Sequence, residues 1–313
     1  MIAAWVHNLD PFAVQFGDGF GIRWYGLAYL AAFAVAYWIY VSLARRGLSM
    51  IPADKVGDFI TGCAVFGVLI GGRLGEMLFY DLSGFLADPL MFFRVWEGGM
   101  SAHGGLLGVA LYSLWYAWKH NVNWPGLGDN ISVAAPLGLF FGRMANFING
   151  ELYGRPGEVA WAVKFPKELY EAPVEVQRSV LARVQEMFAA PAGLDEVVAA
   201  VPQSPQVAAV VGEFLTPRHP SQIYEALLEG LLLFVVMWLV RTRMRVANGV
   251  ITGLFFIGYA VTRSVAELFR FPDAGYVGLL TKGQFLSVFI LLIGIGFLVG
   301  AKLRPVYPPA LSK

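Results

Sequence analysis

Arg143-Met-Ala-Asn146-Phe-Ile-Asn149-Gly150-Glu151-Leu-Tyr153-Gly154-Arg155 closes an apolar run, Ile131 to Phe141, and packs two arginines, two asparagines and a glutamate into thirteen residues. The run before it is greasy enough to lie in a bilayer, so this polar density falls at a membrane edge. A helix continued past Arg143 sets Asn146 and Asn149 at steps of three, which gathers all three side chains within about a third of the circumference. They then face one place together. An arginine beside hydrocarbon is costly without a partner and marks function where it persists. Its planar fork of donors suits phosphate better than a lysine, so the expected ligand is a phospholipid headgroup. The competing reading is an Arg143 that snorkels beside a helix end capped by asparagine and glycine. The company of Asn146, Asn149 and Glu151 favours the ligand.

The surroundings fit a membrane. Of 313 residues 57% are hydrophobic and 14% charged, against about a quarter charged in soluble domains, which points to a polytopic membrane protein. Twenty-three basic residues face twenty-two acidic ones, so no overall field recruits nucleic acid. The single cysteine, Cys63, excludes an internal disulfide and reads as a small buried hydrophobe. His7, His103, His120 and His219 are scattered, with no metal-ligand spacing, so neither metal nor cofactor is expected.

Seven apolar segments read as spans: Tyr25 to Ala44, Phe59 to Phe79, Gly98 to Trp118, Ile131 to Ile148, Ile223 to Val240, Gly249 to Val265 and Phe285 to Ala301. The second carries Gly67, Gly71 and Gly75 at steps of four, a spacing that lets membrane helices approach closely. Arg73 and Glu76 beside them are expected to neutralise each other. From Gly154 to Pro217 the chain turns polar. Val159, Trp161, Val163 and Phe165 alternate as in a strand, while Val176, Val180, Val184 and Phe188 mark one face of a helix over Glu171 to Ala189. The expected architecture is thus all-α and polytopic with a small extracytoplasmic α+β insert. It divides into residues 1–153 with spans one to four and an interfacial N-terminus, 154–217 as the insert, and 218–313 with spans five to seven. Lysines and arginines concentrate on one set of short loops, Arg45, Arg46, Lys119, Arg241, Arg243, Arg245, Lys302 and Arg304 among them. That places the C-terminus in the cytoplasm and the N-terminus, insert and central stretch outside it.

Three further pieces gather on the outer side. Gly98-Gly99-Met100-Ser101-Ala102-His103-Gly104-Gly105 sets one histidine among glycines at the outer end of span three, where ligand or backbone can come close to the imidazole. His219-Pro220-Ser221-Gln222-Ile-Tyr224-Glu225 leads into span five and reads as a helix start with polar residues facing a neighbour. In the Tyr259 to Asp273 stretch, Tyr259, Arg263 and Glu267 lie four apart, so Glu267 can hold Arg263 while it still points at a ligand.

With these pieces the chain resembles the bacterial phosphatidylglycerol–prolipoprotein diacylglyceryl transferases, over nearly its whole length. The resemblance is carried by Trp24-Tyr25-Gly26-Leu27, Gly71-Gly72-Arg73-Leu74-Gly75, His103-Gly104-Gly105, Arg143 to Arg155, His219-Pro220-Ser221-Gln222, Arg263 to Asp273 and Gly283-Gln284. Ala145, Glu76 and Ser264 depart from the family pattern, and none of them removes a polar site residue. The resemblance implies a plasma-membrane enzyme that moves diacylglycerol from phosphatidylglycerol onto the lipobox cysteine of a preprolipoprotein, with its site near the outer leaflet. Phosphatidylglycerol, lipobox peptides and the bilayer are then the partners. In that chemistry Arg143 and Arg263 neutralise the phosphate, and His103 is the candidate base for the thiol, unless neighbouring arginines lower the thiol pKa enough without one. Tyr25, Asn146 and Asn149 orient headgroup oxygens, Glu151 fixes Arg143 or Arg155, and Gly154, Tyr259 and Glu267 complete the substrate site. A lipid-binding transporter or a scaffold without catalysis is the alternative; the first usually shows an internal repeat, which this chain lacks.

Overall fold

The computed structural model describes residues 4–17, 20–94, 98–188, 193–271 and 275–311. Ala189, Pro272 and Asp273, which belong to stretches singled out above, lie outside them. The architecture is mainly helical and suited to a polytopic membrane protein. Among the described residues five helices are long and apolar enough to cross a bilayer: α1 (Trp24–Arg45), α2 (Ala53–Phe79), α4 (Trp124–Ile148), α8 (Ser221–Arg243) and α10 (Lys282–Leu303). α3 (Ala102–His120) and the shorter apolar α9 (Val250–Ala266) fill the two remaining expected positions. Contacts divide the chain into two compact units, Met1–Ala31 with Leu137–Leu233 and Gly258–Leu291, and Ala32–Pro136 with Phe234–Ile257 and Leu292–Lys313.

In the second unit, α2 meets α3 through the expected glycines. A Cβ on Gly104 would run into the carbonyl oxygen of Gly71 and the Cα of Gly75, and one on Gly108 into the carbonyl of Gly67. Only hydrogen side chains permit backbones this close. Arg73 corrects the sequence reading. It does not pair with Glu76; its guanidinium donates to the carbonyls of Phe92, Gly98, Gly99, Met91 and Arg94, so a buried cation ties residues 91–94 to Gly98 and Gly99. Arg241 is buried too, 3.5 Å from Asp129 Oδ2 and donating to Asn130 Oδ1 and the Leu48 carbonyl. Cys63 lies in the apolar core with Tyr40, Phe59 and Tyr116.

In the first unit a hairpin of β2 (Phe12–Gly17) and β3 (Phe20–Arg23) leads into α1, after the short strand β1 (Trp5–Val6). The alternating stretch Val159 to Phe165 contributes only β4 (Val163–Lys164), paired in parallel with β1. On its other side Val163 forms an isolated antiparallel bridge with Arg218, so neither neighbour offers a long strand to extend the pairing. Helices α5 (Val174–Phe188), α6 (Leu194–Ala200) and α7 (Pro205–Phe214) pack around Val180, Val184, Val197, Val207 and Val211. Val6 of β1 joins that core, and a Cβ on Gly212 would collide with its side chain.

Candidate active site

α4 carries Arg143 and Asn146 in its last two turns and ends at Ile148, so the steps of three survive as far as Asn146 and Asn149 sits one residue beyond the helix. The end is a Schellman turn. Gly150 has φ +64°, its N–H donates to Phe147 O at 2.9 Å, and the Glu151 N–H donates to Asn146 O at 3.1 Å. A side chain at Gly150 would be strained by that φ and would also crowd the His7 ring. The turn folds Glu151 back over the helix end, where Oε1 accepts from Asn146 Nδ2 at 2.9 Å and Asn149 Nδ2 at 3.5 Å. Asn146 Nδ2 also lies 3.5 Å from Tyr25 Oη.

His7 braces the same helix end from below. It is buried, its Nε2 is 2.7 Å from Phe147 O, and its own N–H donates to Lys164 O. Burial pushes the imidazole down to about 4, so the ring is neutral at pH 7 and Nε2–H is the donor to the carbonyl. The stretch after Glu151 is stitched by backbone on two sides: Gly154 N–H donates to His219 O at 2.9 Å and Arg155 N–H to Phe269 O at 2.8 Å. Gly154 is a packing glycine, since a Cβ there would strike the carbonyl oxygens of both His219 and Phe269. Arg218 adds a third tie, with Nη1 on Gly154 O and Nη2 2.7 Å from Glu168 Oε1. The first turn of α8 closes the frame, because Gln222 Nε2 donates to Glu151 O at 2.7 Å and Ser221 Oγ to Leu152 O at 3.2 Å.

Glu225 is the hub of this unit. Its carboxylate is fully buried, with Oε2 3.0 Å from Arg143 Nε, and Oε1 2.7 Å from Arg263 Nη1 and 3.1 Å from Arg270 Nη1. Glu229, one turn on and also fully buried, lies 3.4 Å from Arg143 Nη2 and 3.5 Å from Arg263 Nη1. α8 is π-helical from Ala226 to Leu232, the wider turn that often accompanies functional sites. Gly230 lets Glu229 come this near, because a Cβ there would meet Phe140 on α4. Arg263 is held by Glu267 as the four-residue spacing predicts, Nη2 to Oε2 at 2.8 Å. Gly283 leaves room for that carboxylate, which a Cβ would touch at 3.0 Å.

The structure thus brings Tyr25, Asn146, Asn149 and Glu151 into one hydrogen-bonded set, and Arg143, Arg263 and Glu267 into one ion-pair network. Tyr259 stands one turn before Arg263 on α9, and Arg155 Nε donates to Arg270 O at 3.0 Å. Arg143 takes its carboxylates from Glu225 and Glu229 and not from Glu151, because the Schellman turn aims Glu151 at the asparagines. His103 belongs to the second unit. It is exposed in the first turn of α3, with Nδ1 3.2 Å from Tyr80 Oη. Sequence reasoning placed Glu225 among polar residues facing a neighbour and Arg270 in the Tyr259–Asp273 stretch without giving either a site role, and it passed over Glu229. The available signal was a pair of glutamates four apart inside an apolar span, where each carboxylate demands a cation.

Comparison with known proteins identifies the family of the chain. The family model described as prolipoprotein diacylglyceryl transferase matches residues 11–300. A Rhodospirillum centenum protein named phosphatidylglycerol–prolipoprotein diacylglyceryl transferase is 41% identical over 308 residues, covering 96% of this chain and 95% of its own. Proteins of the same name from Azospirillum brasilense and Bdellovibrio bacteriovorus are 42% and 38% identical, over 97% and 94% of this chain and 99% and 93% of their own. The chain belongs to the prolipoprotein diacylglyceryl transferase family.

Proposed function

We propose that this chain is a transferase that moves the diacylglyceryl group of phosphatidylglycerol onto the lipobox cysteine of a preprolipoprotein, releasing glycerol phosphate. Family membership supports the reaction and both substrates and disfavours the transporter and scaffold alternatives. The observation that carries the site is the meeting of Arg143 and Arg263 on one buried carboxylate, which fixes two guanidiniums before any phosphate arrives. Preorganised donors of this kind stabilise developing charge without reorganising.

The thiol sulfur attacks a glyceryl carbon, the S–C bond forms, and the C–O bond to phosphate breaks with its electron pair leaving on oxygen. Arg143 and Arg263 take up that charge, while Tyr25, Asn146 and Asn149, aligned by Glu151, orient headgroup oxygens. Gly154, Arg155, Tyr259 and Glu267 shape and brace the substrate site. His103 takes the thiol proton, with Tyr80 fixing its ring. All seven helices α1–α4 and α8–α10 serve as spans in a bacterial inner membrane, giving regions 1–153, 154–217 and 218–313, the middle one an α+β insert outside the cytoplasm. The N-terminus then lies outside, the C-terminus inside, and the site near the outer leaflet; the loop-charge asymmetry supports this orientation. Mass spectrometry of a lipobox peptide incubated with the protein and phosphatidylglycerol tests the reading. A diacylglyceryl mass on the cysteine is expected, and an unmodified peptide contradicts it.

A further inference from the structure

Glu225 and Glu229 hold the same two arginines unequally. Glu225 contacts Arg143 at 3.0 Å and Arg263 at 2.7 Å, and has Arg270 as well. Glu229 reaches Arg143 and Arg263 only at 3.4 and 3.5 Å, and its Oε1 makes no hydrogen bond although the side chain is wholly buried. Charge sharpens the contrast. Among the described residues the network joins Arg143, Arg263 and Arg270 to Glu225, Glu229 and Glu267, three positive groups against three negative. Within that set no positive charge is left over for a phosphodiester monoanion. Adding that anion leaves a buried charge uncompensated, which is costly, and the least costly remedy is for one carboxylate to take a proton.

Building on the phosphate-clamp reading of Arg143 and Arg263, we propose that Glu229 is a proton-linked stand-in for the lipid phosphate. It engages Arg143 Nη2 and Arg263 Nη1 until phosphate oxygens replace it, and its carboxylate takes one proton from solvent as it lets go. Glu225 stays in place because three arginines hold it at 2.7 to 3.1 Å. The charged and titratable groups around Glu229 are Arg143 on α4, Arg263 and Tyr259 on α9, and Glu225 on its own helix. The arginines remain cationic and the phosphodiester does not titrate near neutrality, which leaves the weakly held carboxylate to change state.

The test is calorimetric binding of a short-chain, water-soluble phosphatidylglycerol to the full-length protein in detergent, in buffers of different ionisation enthalpy. Roughly one proton taken up per lipid is expected near pH 7, with affinity falling about tenfold per pH unit above it. Glu229→Gln has no carboxylate to protonate, so it should take up none, bind independently of pH, and bind about tenfold more tightly than the parent at pH 8. No proton uptake by the parent overturns the proposal without needing any variant, and so does a Glu229→Gln protein that still takes up a proton. Arg263→Ala separates the two readings. Binding weakened tenfold or more supports the clamp whatever the proton count, whereas unchanged binding removes the clamp and the role of Glu229 with it.

Discussion

Arg143 Nε lies 3.0 Å from Glu225 Oε2, an ion pair between α4 and α8 that sequence separation of 82 positions conceals. Because Glu225 also holds Arg263 and Arg270, one carboxylate sets the spacing of the guanidiniums offered to a phosphate.

Removing that carboxylate leaves Arg143, Arg263 and Arg270 against Glu229 and Glu267, one positive charge in excess at a buried site. Breaking a buried pair by deleting one partner typically costs about 3–5 kcal/mol. Glu225→Ala is therefore expected to lower the thermal unfolding temperature in detergent sharply and to abolish transfer. A variant as stable as the parent would show that Glu229 and Glu267 balance the arginines without Glu225.

The α2–α3 contact is testable by one methyl group. Gly104→Ala puts a Cβ into the Gly71 carbonyl and the Gly75 backbone, where no flexible side chain can give way. Overpacking of this kind costs about 1–3 kcal/mol or more. Denaturation in detergent should register that loss, while Gly142→Ala, whose Cβ meets nothing, should be near neutral.

His7 gives the fold a pH dependence of known sign. Burial lowers its pKa from 6.5 to about 4, so between those values the unfolded chain binds a proton that the folded chain does not. Stability contributed by the neutral ring is fully present above pH 6.5, declines as pH falls, and is gone below about 4; the total is about 3 kcal/mol. Unfolding midpoints of the parent and His7→Gln from pH 7 to 4 check this. Parallel curves would mean that His7 does not titrate with folding.

His103 as the base predicts a particular pH signature. A general base supplies roughly 10²- to 10⁴-fold, so His103→Gln should bind phosphatidylglycerol normally yet turn over slowly. The deficit should shrink as pH approaches about 8.5, where an unperturbed thiol ionises by itself. A constant deficit across pH would make His103 a structural residue, and Tyr80→Phe should then share it.

Local spacing made much of this architecture readable in advance. The apolar runs located α1, α8 and α10 within three residues at each end but began α2 and α4 six and seven residues late, at Phe59 for Ala53 and Ile131 for Trp124; Gly67, Gly71 and Gly75 announced the α2–α3 contact, and the four-residue step tied Arg263 to Glu267. Non-local partners were not readable. Arg73 looked like a mate for Glu76 because three residues separate them, yet its donors go to the carbonyls of Met91, Phe92, Arg94, Gly98 and Gly99. The alternation in Val159 to Phe165 suggested a longer strand, but its partners are the distant two-residue strand Trp5–Val6 and a single bridge to Arg218. Glu225 was read only as a polar residue at a helix start, and Glu229 was overlooked because α8 is apolar enough around it to read as an uninterrupted span. Their meaning comes from arginines on α4, on α9 and beyond its end, which no spacing within α8 reveals.

The phosphate clamp is tested most directly by the rate of diacylglyceryl transfer to a lipobox peptide in Arg143→Lys beside Arg143→Ala, with folding matched by thermal unfolding in detergent. Lysine keeps the charge but loses the fork that meets Glu225 through Nε and Glu229 through Nη2. Loss of one preorganised donor to a developing anion costs about 3 kcal/mol, roughly a hundredfold in rate. The account predicts that both variants are slowed about a hundredfold or more at saturating lipid. A lysine variant working at near-parental rate would contradict it, because a bare positive charge would then suffice where a planar, two-point grip is claimed.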